Sequence, residues 1–199
     1  MQTLFITAAD LDDNGTYIGT ADVTDWPSHI EIDAGLGTVC FPRLLRAKGR
    51  IRALSGSGIE AGRGIKAGWG IEAGWGIKAG WGIEAGFGIK AGEGIEAGRG
   101  IKAGEGIEAG RGIKAGEGIE AGSGIKAGEG IEAGWGIKAG EGIKAGLGIK
   151  AKWISSGLRI FAGTCNWCVP KPEEMQIRAE LRGGIIAFGE HVPPAQEAA

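Results

Sequence analysis

Between Ile59 and Gly148 an aliphatic residue recurs at every sixth position. It is followed each time by a charged residue, an Ala and a Gly, so the chain reads Ile-[Glu/Lys]-Ala-Gly-x-Gly fifteen times without a gap. A Gly in every helical turn would cost about 1 kcal/mol per residue, which excludes helix. An extended segment fits: in Ile-Glu/Lys-Ala the first and third side chains share one face and the middle one faces away. Gly-x-Gly then predicts a corner, with Gly free to take positive φ. Eight of the fifteen x residues are charged (Arg63, Glu93, Arg99, Glu105, Arg111, Glu117, Glu129 and Glu141), so x points outward. The predicted fold is all-β: a parallel β-solenoid with Ile and Ala inside, Glu and Lys on flat faces, and x along the edges.

Charge decides the number of strands per turn. The middle residue alternates from Glu60, Lys66 and Glu72 onward to Lys138, and Lys144 breaks the alternation. With two strands per turn, residues twelve apart would stack, and twelve of the thirteen pairs would be like-charged. With three, residues eighteen apart stack, and eleven of twelve pairs are opposite, the exception being Lys126 with Lys144. Opposite charges on neighbouring strands contribute about 0.2–1 kcal/mol each, and like charges cost a similar amount. A three-sided solenoid of about five 18-residue turns follows for the array, with non-repeat β caps at both ends.

The predicted organisation has three parts: a strand-rich cap over 1–58 that grades into the solenoid, the hexad array over 59–148, and a C-terminal cap over 149–199. Asn14-Gly15 signals a hairpin turn. Residues 175–188 predict a second hairpin, turning at Gly183-Gly184, and Val192 to Ala199 a loose tail. Uncharged corners gather at the ends of the array: Trp69, Trp75, Trp81 and Phe87 in the first turns, then Trp135 and Leu147, with Trp153 beyond. Two readings stand side by side. Either the flanking segments fold back onto these aromatics, or the aromatics anchor a partner.

Composition changes little. Of 199 residues 42 are Gly, but their alternating gaps of two and four exclude collagen. With 22 basic and 24 acidic residues, no net field advertises nucleic acid or membrane. No apolar run approaches the roughly 18 residues of a spanning helix, and the N-terminus lacks the basic region of a secretory signal, so a cytoplasmic protein is expected. Three cysteines make an odd count, which argues against a disulfide framework.

Candidate chemistry is sparse. Asp10, Asp12 and Asn14 match the first half of a calcium loop, but Ala21 stands where a bidentate Glu belongs, and a turn explains the same residues. Cys165 and Cys168 form a C-x-x-C that could ligate zinc or exchange thiols, or simply be two apolar thiols on a loop. Apart from these weak zinc and calcium candidates, no cofactor is expected. Arg43, Arg46, Lys48, Arg50 and Arg52 fall in a stretch without an acid; the last four have strand spacing and predict one basic face. That stripe suits an acidic partner or nucleic acid, or else is a solvated face. No aromatics interleave it, so it does not indicate single-strand recognition. The two His lie far apart, and identical rungs build no cleft for catalysis, so no enzyme is expected.

The hexads resemble the repeats of hexapeptide acyltransferases. Here Ala stands two residues after the aliphatic and no His lies in 59–148, which stands against that family's activity. In architecture the chain is similar to bactofilins, bacterial filament formers built of triangular turns. That resemblance implies self-assembly, although segments at both ends stand against end-to-end stacking. The GIKAG/GIEAG run with the tail LRIFAGTCNW…PEEMQIRAELRGG also resembles small repeat proteins of phages and mobile elements. That resemblance implies an inhibitor of a host defence complex, of anti-CRISPR or anti-restriction type, acting by steric blockade. The expected function is therefore non-enzymatic binding of a protein or nucleoprotein complex, without membrane or small-molecule substrate. A self-assembling homo-oligomer and a metal-binding protein using Cys165 and Cys168 are the alternatives.

Overall fold

Leu4, Ile30, Ile51, Ile71, Ile89, Ile107, Ile125, Ile143, Ile160 and Ile186 stand in one column, each in register with the next. The nine steps of that column are nine turns of a parallel β-solenoid in the computed structural model, which describes residues 2–194. At a strand spacing of about 4.8 Å the prism is roughly 43 Å tall. Three strands complete each turn. Ile71–Ala73 pairs with Ile89–Ala91 on a first face, Ile77–Ala79 with Ile95–Ala97 on a second, and Ile83–Ala85 with Ile101–Ala103 on a third, each pair eighteen residues apart.

The core is a stack of identical layers. No Ile at the head of a hexad is more than 2% exposed, and no Ala two residues on is more than 4% exposed. Burying one Ile side chain stabilises by about 1.5–3 kcal/mol, and the gain repeats at every strand. Each strand is only three residues long, so its backbone groups are satisfied by the rungs above and below rather than within a turn. At the corners this ladder continues: the amide of Trp81 donates to Arg63 O (2.7 Å) and that of Arg99 to Trp81 O (2.8 Å).

The hexad glycines serve close approach rather than positive φ. Among the described residues the positive-φ glycines are Gly15, Gly35, Gly37, Gly56, Gly163, Gly184 and Gly189, all outside the array. The expectation of left-handed corners is corrected accordingly. A Cβ on Gly98 would strike the carbonyl oxygen of Gly80 one rung away, whereas a Cβ on Gly100 would sit 3.3 Å from Gly118 O. The first glycine of each corner is therefore sterically required, and the second leaves an open trench.

The turn count exceeds five because the flanks keep winding. Residues 4–29 make an irregular first turn, with Tyr17 donating its amide to Cys40 O (2.9 Å) and Trp26 its amide to Arg46 O (3.0 Å). The Asn14-Gly15 turn is present: Gly15 N donates to Asp12 O and Asp12 N to Thr16 O, both 2.9 Å. At the other end the expected hairpin is absent. Gln176–Phe188 is one strand lying parallel on Ile149–Phe161, with Ile177 over Ile149 and Ile186 over Ile160. Gly184, at φ 93°, turns a corner of the prism instead of reversing the chain. Glu190–Val192 adds a further strand on Gln176–Arg178, so Val192 is ordered by pairing, and 195–199 of the expected tail lie outside the described residues.

Candidate binding surfaces

The charged ladders follow from the register. On the third face Lys66 Nζ meets Glu84 Oε2 at 2.8 Å, and Glu120 is shared by Lys102 (3.5 Å) and Lys138 (3.7 Å). On the first face Glu108 sits between Lys90 (3.8 Å) and Lys126 (2.8 Å). The hydrogen bond from Lys126 holds the Glu108 carboxyl below the usual glutamate range, against a partial desolvation that pushes it up. These side chains are solvent-exposed, so each pair is worth at most about 1 kcal/mol.

The basic stretch does not line one face. Leu45–Ala47 belongs to the third face and Ile51–Ala53 to the first, which separates Arg46 from Arg52. Leu45, Ala47, Ile51 and Ala53 do point inward. Arg46 pairs with Asp25 (3.5 Å) and Arg52 with Glu72 (3.4 Å). Arg43 stands before the third-face strand, and Lys48 and Arg50 flank the corner that follows it. The physical reason is the three-residue strand: a run of ten residues crosses a corner.

The aromatic corners are sorted by edge. Trp69 and Phe87 stack on the edge between the third and first faces, Trp75 lies between the first and second, and Trp81 and Trp135 lie between the second and third. All five are between 44% and 59% exposed, so the flanking segments cover them only in part, through His29 on Trp69 and Lys152 on Trp135. The His29 ring meets Trp69 edge-on (5.1 Å) while its Nδ1 accepts from Arg50 N (2.9 Å).

One edge differs from the other two. Along the corner between the second and third faces the residues in register are Arg43, Arg63, Trp81, Arg99, Glu117 and Trp135, with Trp153 next. The guanidinium carbons of Arg63 and Arg99 lie 5.2 and 5.0 Å from the Trp81 ring centroid, one from the rung above and one from the rung below. Lys152 Nζ is 4.2 Å from the Trp135 ring, and Arg182 stacks on Trp153 at 5.2 Å. The other edges carry Glu105 and Glu141, or Glu93, Arg111 and Glu129, with Arg111 paired to Glu93 at 3.9 Å. Sequence reading had the eighteen-residue interval that puts Arg63, Trp81 and Arg99 in one column but did not follow it along this edge, and Lys152 and Arg182 lie beyond the hexads, where the interval no longer holds.

Beside this edge runs a groove of about 750 Å³, floored by Gly82, Gly100 and Gly118 and walled by Trp81 and Lys102. The indole of Trp153 lies on Gly136, where any Cβ would meet it, and closes the C-terminal end. Equivalent grooves on the second and first faces measure about 540 and 650 Å³.

The metal candidates resolve into local structure. Cys165 and Cys168 are joined in a disulfide, which corrects both the zinc reading and the argument from an odd count; Cys40 is the free cysteine, its thiol pushed up chiefly by burial. Asp10 Oδ2 accepts from Thr7 N (2.9 Å), and Asp12 Oδ1 from Asn14 N (2.9 Å) and Thr16 N (2.8 Å), so these oxygens hold a turn. No group of three or more His, Cys, Asp or Glu is placed to hold a metal among the described residues, and no helix there is long and apolar enough to cross a membrane. Compared with known proteins, the chain matches no family model, no curated protein and no solved structure, and its likeness to hexapeptide-type solenoids is one of architecture: a three-sided parallel prism with 18-residue turns.

Proposed function

We propose that the protein is a non-enzymatic binding scaffold that presents the edge between its second and third faces to a macromolecular partner, a protein or a nucleoprotein complex. The observation that carries this reading is the exposure of Trp81 (49%) and Trp135 (59%) on the one edge that also concentrates arginine. Trp and Arg are the residues most often found at the energetic centre of interfaces. The rung-to-rung hydrogen bonds hold them in place before any partner arrives, which lowers the ordering cost of association. The concrete version is an inhibitor from a phage or mobile element, of anti-CRISPR or anti-restriction type, that blocks a host defence complex sterically in the cytoplasm. Support for that version is the resemblance of the GIKAG/GIEAG run.

The test is affinity capture from a bacterial lysate by the whole chain and by Trp81→Ala with Trp135→Ala. Capture that disappears in the variant, with its circular dichroism and melting unchanged, supports the reading. Capture indifferent to both substitutions overturns it.

Self-assembly is the second reading, and a specific observation favours it. The last wound strand leaves Ile185 and Phe188 exposed beside an open sheet edge. Light scattering that stays monomeric across concentration removes it.

A further inference from the structure

We infer that the edge between the second and third faces, with the groove beside it, binds single-stranded nucleic acid. The inference rests on the scaffold reading above and names the chemistry of its ligand.

The charge argument comes first. The three edges share one backbone, yet this one holds Arg43, Arg63, Arg99 and Lys152 against a single acid, Glu117, while the edge between the third and first faces sets Lys48 and Arg50 against Glu105 and Glu141, and the remaining edge sets Arg111 against Glu93 and Glu129. Among the described residues, none of those four cations has a carboxylate within 4.0 Å. That sets them apart from most of the ladder lysines, such as Lys66 and Lys102, which are paired, Lys114 and Lys144 being the exceptions. A linear row of unpaired cations is the electrostatic footprint of a polyanion that runs along the prism.

The donor argument comes second. The guanidinium carbons of Arg63 and Arg99 lie 5.2 and 5.0 Å from the Trp81 ring centroid, one on the rung to either side. A π-face accepts no N–H···O bond, so each guanidinium keeps N–H groups to offer a phosphate. The two arginines are two rungs apart, about 9.6 Å.

The third argument separates a nucleic acid from an acidic protein. The groove beside the edge carries Arg63, Trp81, Trp135 and Trp153 on its lining, with ladder pairs such as Lys66–Glu84 along its far side and glycine on its floor, while Arg99 and Lys152 stand on the edge above it. Cations tracking a backbone, interleaved with aromatic rings, are the combination that holds single strands. A duplex hides the faces of its bases; an unpaired strand offers them to Trp135, which is more than half exposed. The groove between Arg63 and Trp153 spans five rungs, roughly 24 Å, which suits a short single-stranded stretch.

The purified whole chain is tested by fluorescence anisotropy against labelled oligothymidine and oligouridine of about ten nucleotides, a hairpin duplex and poly-glutamate. The expected result is binding of the single strands at low salt, with quenching of Trp emission. Log affinity should fall linearly with log salt, with a slope of about −0.7 per phosphate contacted. Arg63→Glu with Arg99→Glu, both exposed positions, should weaken binding at least tenfold, Trp135→Ala should weaken it and reduce the quenching, and Arg111→Glu on another edge should leave affinity within twofold. Absence of single-strand binding at low salt overturns the inference, as does binding unaffected by reversal of Arg63 and Arg99. Poly-glutamate bound in preference to oligonucleotide overturns it in favour of an acidic protein. If oligonucleotides fail while capture from a nuclease-treated lysate still depends on Trp81 and Trp135, this inference falls and the scaffold reading stands.

Discussion

Lys126 and Lys144 face each other on adjacent rungs of the first face, the one register pair of the hexad array in which like charges meet. Lys126 turns instead to Glu108 at 2.8 Å on its other side. Lys144→Glu would complete the alternation. We expect a gain of about 0.5 kcal/mol, seen as a small rise in melting temperature that disappears at high salt. A lower melting temperature at low salt would contradict the ladder.

The two glycines of a corner differ in what they tolerate. Gly98→Ala places a methyl against the carbonyl of Gly80, in a wall whose every strand is pinned by its neighbours. A loss of more than about 2 kcal/mol is expected in denaturant unfolding. Gly100→Ala meets its nearest atom at 3.3 Å and also stiffens the unfolded chain, so its net effect should stay within about 1 kcal/mol. Equal costs at the two sites would reject this account of the corner.

Acid should weaken the ladder in a defined direction. The Glu108 carboxyl is held below its usual value of 4.5, first by the hydrogen bond from Lys126. A depressed carboxyl stabilises the fold above its unfolded value, and that contribution is lost as pH falls through the folded one. The melting difference between the parent chain and Glu108→Gln should therefore be largest near neutrality, shrink as pH falls below the usual 4.5, and vanish once the folded carboxyl itself is protonated. A difference that grows on acidification would contradict the pairing.

The Cys165–Cys168 bond closes a four-residue loop outside the stacked core. In a cytoplasmic setting it meets a reducing thiol pool. Thiol titration of the folded protein should find one reactive group before reduction, Cys40, and three after it. Reduction should cost at most about 2 kcal/mol of stability, because the loop is short. Three thiols before reduction would remove the disulfide.

How much of this was legible depended on repetition. The inward Ile and Ala, the outward charges and the three-strand turn follow from six residues repeated, since alternation of Glu and Lys stacks favourably only at an interval of eighteen. Where repetition fades, the reading faded with it. Ile177 and Ile186 lie in register on Ile149 and Ile160 as a hexad Ile does on its neighbour, but 28 and 26 residues on rather than 18, and Gly183-Gly184 imitates a hairpin. Arg46 and Arg52 seemed to share a side because a strand was extrapolated through a corner. Arg63, Trp81 and Arg99 stand eighteen residues apart, so the three-strand turn already sets them in one column; Lys152 and Arg182 lie past the last hexad and are placed only by the irregular winding there.

A prism with three strands per revolution also works as a dial. Removing a full eighteen residues from the middle would shorten it by one step and leave each edge continuous. Removing a single hexad would rotate everything beyond the cut by a third of a revolution, carrying Trp135 and Lys152 to a different side from Arg63 and Trp81. Such deletions separate the length of the molecule from its facing, without altering a single layer of its interior.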